Sequence, residues 1–526
     1  MKFLSFLFAF VLLHIAAQSQ RTIDVSSYVF DIELSDKSDS ISGKATIWFT
    51  CLSDTQIVSF DLRQAARKIG FTVSSVLSEN KSLLFEQKND RVLVDLGGSG
   101  KKNKSFHILI KYAGLPVDGL IISKNKFGKR TFFSDNWPNR AHEWIPCVDD
   151  PADKAAVEFI VTAPDHYQVV SNGIMIKQEN LGGGRKKTYY KEEIPLPTKI
   201  MVIGVADFAV QQSGMVGSVP ISSWVFPENK TEGFRDYGIA PPIVQWLSNY
   251  IGPFPFKKLA NVQSKTIFGG MENASAIFYY ENSVNGKADN ESLIAHETAH
   301  QYFGDMVTET DFSQAWLSEG FATYMTHLFI GSKYGSDSLN QAMAKDRKDI
   351  IAFSRSNKLT VIDTVSKMME LLNVNSYKKG SWILHMLHRQ VGDSLFQKGI
   401  REYYRTYAGK NATSKDLQQV FEKIIGKPLD TFFHQWLRLP GQPDLGLKWT
   451  YNKEAVSLQI DVKQLQVNLF VVALEIGIKT TDGKTQVIKL DLSQRDQTFR
   501  IPVTSEPTGI QVDPDVSLLF SYTLVH

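Results

Sequence analysis

The chain has 526 residues, of which 43% are hydrophobic and 21% are charged. This length exceeds what one hydrophobic core normally supports, so we expect roughly two to four domains of ordinary globular character. The formal net charge is only +3, with both signs abundant. This balance argues against nucleic acid or an anionic membrane as the main partner.

The first residues have the pattern of an export signal. Lys2 precedes an apolar run over residues 3–17, and Ala17-Gln18-Ser19 supplies small residues at the spacing of a cleavage site. The run is short for a membrane span and polar residues follow it at once. We expect a signal peptide over 1–19 and a mature protein that is periplasmic or extracellular, without stable membrane insertion. The alternative is an uncleaved anchor.

Two cysteines, Cys51 and Cys147, are present. In an exported protein they can form a disulfide, and each can equally be a small buried apolar residue. They have no CxxC spacing and are not expected to bind a metal.

Patterns of apolar residues divide the chain into three regions. From 25 to about 208, apolar and polar residues alternate, which predicts an antiparallel β domain with one solvated face. Helical spacing dominates from about 210 to 440, and alternation then returns. The sequence predicts a multidomain α+β protein with an N-terminal β domain (20–208), a mainly helical domain (209–440) and a small C-terminal β-sandwich (441–526). Helices are predicted over 237–250, 291–304, 313–330 and 377–391.

The predicted helix over 291–304 carries the sequence His296-Glu297-Thr298-Ala299-His300. A spacing of four places both histidines on one face, one turn apart, so that both imidazoles can reach one ion. Glu297 can then accept a proton from water without binding the metal. The pattern alone fixes three positions, and a helix with two solvated histidines also satisfies it.

Glu319 favours the metal interpretation. Zinc bound by two histidines takes a third protein ligand, commonly a carboxylate, and keeps a fourth position for water. Eighteen residues separate His300 from Glu319, which lies in an apolar segment where an unpaired carboxylate is costly. The adjacent Gly320 permits close approach of another helix. We predict that His296, His300 and Glu319 bind one Zn²⁺ per chain.

With these residues, the sequence resembles the aminopeptidase N family of gluzincin metallopeptidases, to which the leukotriene hydrolase is related. Residues 269–273 (Gly-Gly-Met-Glu-Asn) are similar to its exopeptidase motif, and 377–380 (Tyr-Lys-Lys-Gly) to the segment of its catalytic tyrosine. Residues 144–151 and 433–443 are also similar to family segments. The resemblance spans about 28 to 450 and implies a thermolysin-like catalytic domain.

The resemblance also implies roles. An aminopeptidase must recognise a free N-terminal ammonium, and Glu272 is the implied carboxylate for it. Tyr377 is implied as the hydrogen-bond donor to the oxyanion, with Glu297 as general base. The implied substrate-binding residues are Gly269, Gly270, Met271, Glu272 and Asn273. Without the resemblance, this segment reads as a polar loop and Tyr377 as a core aromatic residue.

The sequence departs from the family pattern in places. Many relatives carry a second ammonium-binding residue where Asp135 stands, so Asp135 is a candidate substrate-binding residue with a shorter reach, and Trp137 a candidate for narrowing the pocket. Gln314 and Ala315 replace an acidic region before Glu319, which leaves the partners of the zinc histidines open, with Asp305 nearby.

The larger relatives also have a C-terminal helical domain, and this sequence looks like a short form without it. We therefore expect an open cleft and weak selection by peptide length.

The expected function is that of an exported zinc aminopeptidase acting on peptides with a free N-terminus. Epoxide hydrolysis is an alternative with the same metal chemistry. A non-catalytic peptide-binding protein is another, although such a protein gains nothing from a base at Glu297. The sequence sets neither the preferred first residue nor the oligomeric state.

Overall fold

A computed structural model describes residues 21–525. The expected signal peptide, residues 1–19, lies outside the described residues. Between 21 and 525, no helix has both the length and the apolar character that a membrane crossing requires. Cys51 and Cys147 are buried and are not bonded to each other, so the two thiols serve as core residues.

The N-terminal region consists of strands, as its alternating pattern predicts. They are β1 (Ile23–Ser35), β2 (Ser38–Cys51), β3 (Ile57–Asp61), β4 (Gly70–Ser78), β5 (Lys81–Ser82), β6 (Phe85–Lys88), β7 (Arg91–Asp95), β8 (Ser105–Leu115), β9 (Leu120–Lys124), β10 (Arg130–Ser134), β11 (Lys154–Pro164), β12 (Gln168–Ser171), β13 (Ile174–Gly182), β14 (Arg185–Pro197) and β15 (Ile203–Ala206).

These strands form an eight-stranded sheet of order β13-β14-β11-β1-β2-β8-β4-β5, a four-stranded sheet β12-β15-β10-β9 and a three-stranded sheet β3-β7-β6. Tyr28, Phe30 and Ile32 are buried at alternate positions of β1. One pair departs from the predicted antiparallel arrangement, because β1 and β11 are parallel, with Phe30 opposite Phe159. Parallel neighbours need a long crossover, and the chain between β1 and β11 provides it.

The middle region is mainly helical. Its elements are β16 (Ala209–Val216), β17 (Val219–Val225), α1 (Lys230–Tyr237), α2 (Ala240–Tyr250), β18 (Leu259–Ser264), β19 (Gly270–Met271), β20 (Ala276–Tyr280), α3 (Glu291–His300), β21 (Thr308–Glu309), α4 (Trp316–Tyr334), α5 (Ser336–Ser356), α6 (Gly380–Val391), α7 (Asp393–Tyr407), β22 (Asn411–Ala412), α8 (Ser414–Ile425) and α9 (Asp430–Arg438). A β-rich N-terminal region followed by a helical region is therefore confirmed.

Two features of this region position the site. The sheet β16-β17-β18-β20-β19 ends in the short edge strand β19, which leaves one side of that strand unpaired. Helix α3 ends at His300 and not at the predicted Gly304, because the chain makes a turn at Gly304. Gly304 has φ 125°, and its N–H donates to the carbonyl of Val307 at 2.8 Å.

The C-terminal region returns to strands: β23 (Asp444–Asn452), β24 (Ser457–Gln464), β25 (Val472–Thr480), β26 (Thr485–Leu492), β27 (Asp496–Pro502), β28 (Pro507–Val512) and β29 (Ser521–Val525). They form a four-stranded sheet β27-β24-β23-β29 and a three-stranded sheet β26-β25-β28. Leu458 and Ile460 in β24, and Leu474 and Ile476 in β25, are buried at alternate positions. Each sheet therefore has one apolar face in the core.

Two lysines of the N-terminal region bind the segment that follows α3. Lys199 is 1% exposed and forms an ion pair with Glu309 of β21, which is 2% exposed. Lys154 donates to the carbonyls of Asp305 and Met306 at 3.0 and 2.9 Å. The position of the 305–309 segment thus depends on an ion pair and hydrogen bonds from another part of the chain.

Replacing Lys199 by Met is expected to destabilise the protein by about 3–5 kcal/mol, because the Glu309 carboxylate remains buried without a partner. The double variant Lys199→Met/Glu309→Leu should regain most of this loss. Urea unfolding followed by circular dichroism measures both. The exposed pair of Lys257 and Glu193 supplies the control, since Lys257→Met should change little. A single variant as stable as the double would contradict the prediction.

Candidate active site

The three predicted metal ligands meet at one point. Nε2 of His296 and Nε2 of His300 are 3.1 Å apart, as expected for two histidines one turn apart on α3. Oε2 of Glu319, in the first turn of α4, lies 3.4 Å from Nε2 of His296 and 3.2 Å from Nε2 of His300. Helices α3 and α4 therefore present three potential ligand atoms to one small volume.

The arrangement of these ligand atoms is better suited to binding a cation than to hydrogen bonding among themselves. Oε2 of Glu319 is buried and has no hydrogen-bond partner. Nδ1 of His300 lies 3.1 Å from the carbonyl of Phe303, which can only accept, so Nδ1 carries a proton and Nε2 is the atom that offers a lone pair once the ring is neutral. Zinc-binding histidines have this orientation. Two imidazoles and a carboxylate are also the donor set that zinc takes in catalytic sites, so the residues fit this metal.

The pKa of His300 reflects an excess of buried negative charge around the ligand atoms. Burial alone lowers the pKa of His300, but the carboxylates of Glu319, Glu272 and Glu297 outweigh it and raise that pKa to about 10. Each of these carboxylates is 5% exposed. Three acidic groups at this depth require nearby positive charge.

Glu297 lies against the edge strand β19. A Cβ at Gly270 would lie 2.4 Å from Oε1 of Glu297, so only glycine leaves room for this carboxylate. Burial raises the pKa of Glu297 well above its usual range, and the carboxylates of Glu272 and Glu319 raise it further. The group therefore has a high affinity for a proton.

Glu272 directly follows β19, and its Oε1 is buried without a hydrogen-bond partner. Burial raises its pKa, while His300 and Lys199 oppose that shift. Gln301 holds the backbone here, since its Nε2 donates to the carbonyl of Glu272 at 2.6 Å and its Oε1 accepts from the N–H of Ser275 at 2.7 Å. Sequence reasoning missed Gln301, although its position next to His300 is a usable signal.

Tyr377 lies in a π-helical turn, Asn375–Lys379, that leads into α6. Its ring stacks on the ring of His296, with centroids 5.9 Å apart and planes at 16°. Burial and the carboxylate of Glu319 raise its pKa, so the phenol keeps its proton and can donate a hydrogen bond. Sequence analysis predicts an α-helix from 377, whereas the structure has α6 beginning at Gly380.

The expected close approach at Gly320 is present. A Cβ at Gly320 would lie 2.8 Å from the carbonyl carbon of Gly380. The backbones of α4 and α6 are therefore in contact, and this contact fixes Tyr377 relative to Glu319.

A cavity of about 260 Å³ lies over these groups. It is lined by Trp137, Phe268, Gly269, Gly270, Met271, Glu272, Leu293, His296, Glu297, His300, Glu319, Leu372 and Tyr377. Sequence reasoning did not identify Phe268, Leu293 and Leu372, which come from loops and helix surfaces without a motif. Asn273, a predicted substrate-binding residue, is fully buried outside this lining.

Asp135 does not line this cavity. Its side chain is fully buried, and Oδ1 accepts from Arg140 at 2.7 Å. Oδ2 accepts from Oγ1 of Thr266 and from the N–H of Ile267, both at 2.9 Å. Both oxygens of the carboxylate are thus bonded within the protein, in place of the expected contact with an ammonium group.

The partners of the candidate zinc-binding histidines, which the sequence leaves open, are now visible for His300. Besides the carbonyl of Phe303, Oγ of Ser318 lies 3.1 Å from its Nδ1. Gln314 instead accepts from Ser414. The carboxylate of Asp305 is buried without a hydrogen bond, so it is not a partner of the imidazole.

A His-Glu-x-x-His helix completed by a buried glutamate is the arrangement of the zinc metallopeptidases. Comparison with known proteins agrees: residues 25–200 match the peptidase M1 N-terminal domain, and residues 237–436 match the peptidase family M1 domain. The chain belongs to peptidase family M1.

Curated relatives include "Probable aminopeptidase 2" of Sulfurisphaera tokodaii, 28% identical over 73% of this chain and 51% of that protein. "Leucyl aminopeptidase" of Saccharolobus solfataricus is 25% identical over 92% of this chain and 62% of that protein. "Glutamyl aminopeptidase" of Bitis rhinoceros is 26% identical over 59% of this chain and 34% of that protein. The chain spans about half the length of the curated relatives it matches.

Gly320→Ala is expected to destabilise the protein by about 1–3 kcal/mol, because the added methyl overlaps the backbone of Gly380. Helix propensity alone predicts the opposite sign, a gain of about 0.5–1 kcal/mol over glycine. Chemical unfolding distinguishes the two, and a variant more stable than the parent would contradict the close contact between α4 and α6.

Proposed function

We propose that the protein is an exported zinc metallo-aminopeptidase that removes N-terminal residues from peptides. The observation that carries this proposal is the buried Oε1 of Glu272, which has no hydrogen-bond partner. Ligand atoms of Glu272, Glu297 and His300 all lie within 4.8 Å of one another. An ammonium group of a substrate would supply the positive charge that this carboxylate lacks, at a fixed place beside the metal ligands.

In this proposal His296, His300 and Glu319 hold one Zn²⁺. Bound zinc supplies a Lewis acid that lowers the pKa of water and polarises a carbonyl. Glu297 accepts the proton of the attacking water and passes it to the leaving amine. Tyr377 donates a hydrogen bond to the oxygen that gains negative charge.

Glu272 binds the N-terminal ammonium, so that the first peptide bond is the one that reaches Glu297. Gly269 and Gly270 leave the edge strand β19 open to an extended peptide, with Met271 beside them in the cavity wall. Asn273 belongs to the same segment and is fully buried. Asp135 has no direct part in this scheme.

We further propose the domain division 20–208, 209–440 and 441–526, with a thermolysin-like centre and a C-terminal β-sandwich. Its support is that β16 begins at Ala209 and joins the sheet of β17, β18, β19 and β20, while β23 begins at Asp444. Export is supported by the sequence of residues 1–19 alone.

Release of aminomethylcoumarin from a panel of aminoacyl conjugates tests the activity. Glu297→Gln should lower kcat by about 10²–10⁴-fold while zinc content stays near one ion per chain, because the base is lost and the ligands are kept. The matched control is Glu291→Gln in the first turn of the same helix, whose carboxylate pairs with Lys333. Absence of turnover of any aminoacyl conjugate by zinc-loaded protein would overturn the proposal.

Glu272→Ala tests the exopeptidase assignment on the same protein. Turnover of free aminoacyl substrates should fall, while the ratio of N-blocked to free substrate cleavage should rise, because the ammonium loses its partner. Unchanged turnover of free substrates together with an unchanged ratio would remove Glu272 from this role.

Gly270→Ala should lower kcat by roughly 10²-fold, since its methyl group displaces the general base. Gly509→Ala is the control, because a Cβ there meets no atom within 4 Å and the residue does not line the cavity. Thermal unfolding establishes that both variants fold. Equal activity of the two alanine variants would contradict the placement of Glu297 against Gly270.

A further inference from the structure

An aromatic wall closes one side of the cavity, and a residue of the N-terminal region forms part of it. The ring of Trp137 packs edge-on against Phe268 and Phe312, each at a centroid distance of 6.0 Å. Trp137 is 4% exposed. Phe268 precedes the edge strand β19 by two residues and lines the cavity together with Gly270, Met271 and Glu272.

The buried carboxylate of Asp135 holds the backbone segment that carries Phe268. Its Oδ2 accepts from the hydroxyl of Thr266 and from the N–H of Ile267, the two residues before Phe268. The hydroxyl of Thr266 in turn accepts from the N–H of Phe268 at 3.2 Å. One buried carboxylate thus holds three consecutive residues of another region, which restricts where the ring of Phe268 can lie.

Arg140 links Asp135 to the backbone of Trp137. Asp135, Arg140 and Thr266 are together called the clamp. The guanidinium of Arg140 pairs with Asp135 at 2.7 Å and with Asp118 at 2.8 Å. Its Nε donates to the carbonyl of Trp137 at 2.8 Å, and the guanidinium lies 6.0 Å from the ring centroid of Phe268. Arg140 therefore ties the carboxylate that holds Phe268 to the backbone that carries Trp137.

We propose that Trp137 and Phe268 form a specificity-determining wall for the first side chain of the substrate, and that Asp135 is the positioning residue that sets its distance from the metal site. This inference rests on the proposed function. It assigns an apolar substrate class: peptides that begin with a large aliphatic or aromatic residue.

The chemistry of the cavity supports this class. Apart from the proposed catalytic groups, its wall is apolar and includes Met271, Leu293 and Leu372 in addition to the aromatic pair. Among the described residues that line it, the carboxylates are Glu272, Glu297 and Glu319, and no lysine or arginine is present. An acidic first side chain would meet repulsion without a counter-ion, whereas an apolar one is transferred from water to an apolar surface.

The test compares kcat and KM for leucyl, phenylalanyl, alanyl, lysyl and glutamyl conjugates. The parent enzyme should favour leucyl and phenylalanyl over alanyl by roughly 10–200-fold in kcat/KM and should cleave the glutamyl and lysyl conjugates least. Trp137→Ala should reduce the leucyl-to-alanyl ratio about 10-fold, mainly through KM. Preferential cleavage of lysyl or glutamyl conjugates by the parent would overturn the inference.

Variants of the clamp distinguish positioning of the specificity wall from a general contribution to the stability of the fold. Asp135→Ala should reduce the same ratio, and Asp135→Asn should restore part of it, because the amide oxygen can still accept from Thr266 and Ile267. Thr266→Val removes one hydrogen bond without stranding a charge, and it replaces Asp135→Ala if that variant does not fold. Asp118→Asn is the matched control, since it removes the partly exposed partner of the same Arg140 and should leave the ratio unchanged.

The outcomes distinguish the two proposals. If zinc-loaded parent protein cleaves no conjugate, the proposed function fails. If the parent cleaves apolar conjugates but Trp137→Ala and Asp135→Ala, or Thr266→Val in place of the latter, all keep the parent ratio, the function stands and the specificity wall is refuted. A loss of kcat on every substrate in equal proportion would also refute it, because that pattern indicates general damage to the fold.

Discussion

The structure depends on one electrostatic constraint, the burial of three carboxylates around His300. Glu272, Glu297 and Glu319 are each 5% exposed, and their combined field raises the pKa of His300 to about 10. Buried acidic groups at this density cannot stay ionised without positive charge. The distribution of roles follows from this need: Glu319 faces the histidines of the metal site, Glu272 is left without a partner, and Glu297 has a high affinity for a proton.

The surrounding fold has to hold the three carboxylates close to His300 while keeping other hydrogen-bonding groups of the protein away from them. Glycines do this at two contacts, where Gly270 leaves space for Glu297 and Gly320 brings α4 against the backbone of Gly380. A side chain at Gly270 would displace Glu297, and one at Gly320 would displace the backbone of Gly380. Conformational freedom is not the reason for glycine at these positions, since neither has a positive φ; the requirement is space.

The parts of the site that depend on local spacing could be predicted from sequence, and the others could not. His296 and His300 follow from helical periodicity, and Glu319 from the cost of a charge in an apolar segment. The roles of Glu272 and Tyr377 can be predicted only through the family resemblance, because their approach to α3 depends on an edge strand and a helix contact far along the chain. Asp135 has the charge expected of a substrate ligand, but its pairing with Arg140 and its bonds to the 266–267 segment are invisible in one sequence.

The N-terminal region is as much a part of the site as the metal helix. Lys199 pairs with Glu309, and Lys154 donates to the carbonyls of Asp305 and Met306, so the N-terminal region holds the turn after α3 in place. Trp137 lines the cavity itself. Under the proposed function, chemistry and selectivity therefore depend on different parts of the chain. The proposed metal ligands and base come from two helices of the middle region, and the position of the proposed specificity wall depends on the contact between the N-terminal and middle regions. A change at that contact can alter which peptide is accepted while the reacting groups stay in place.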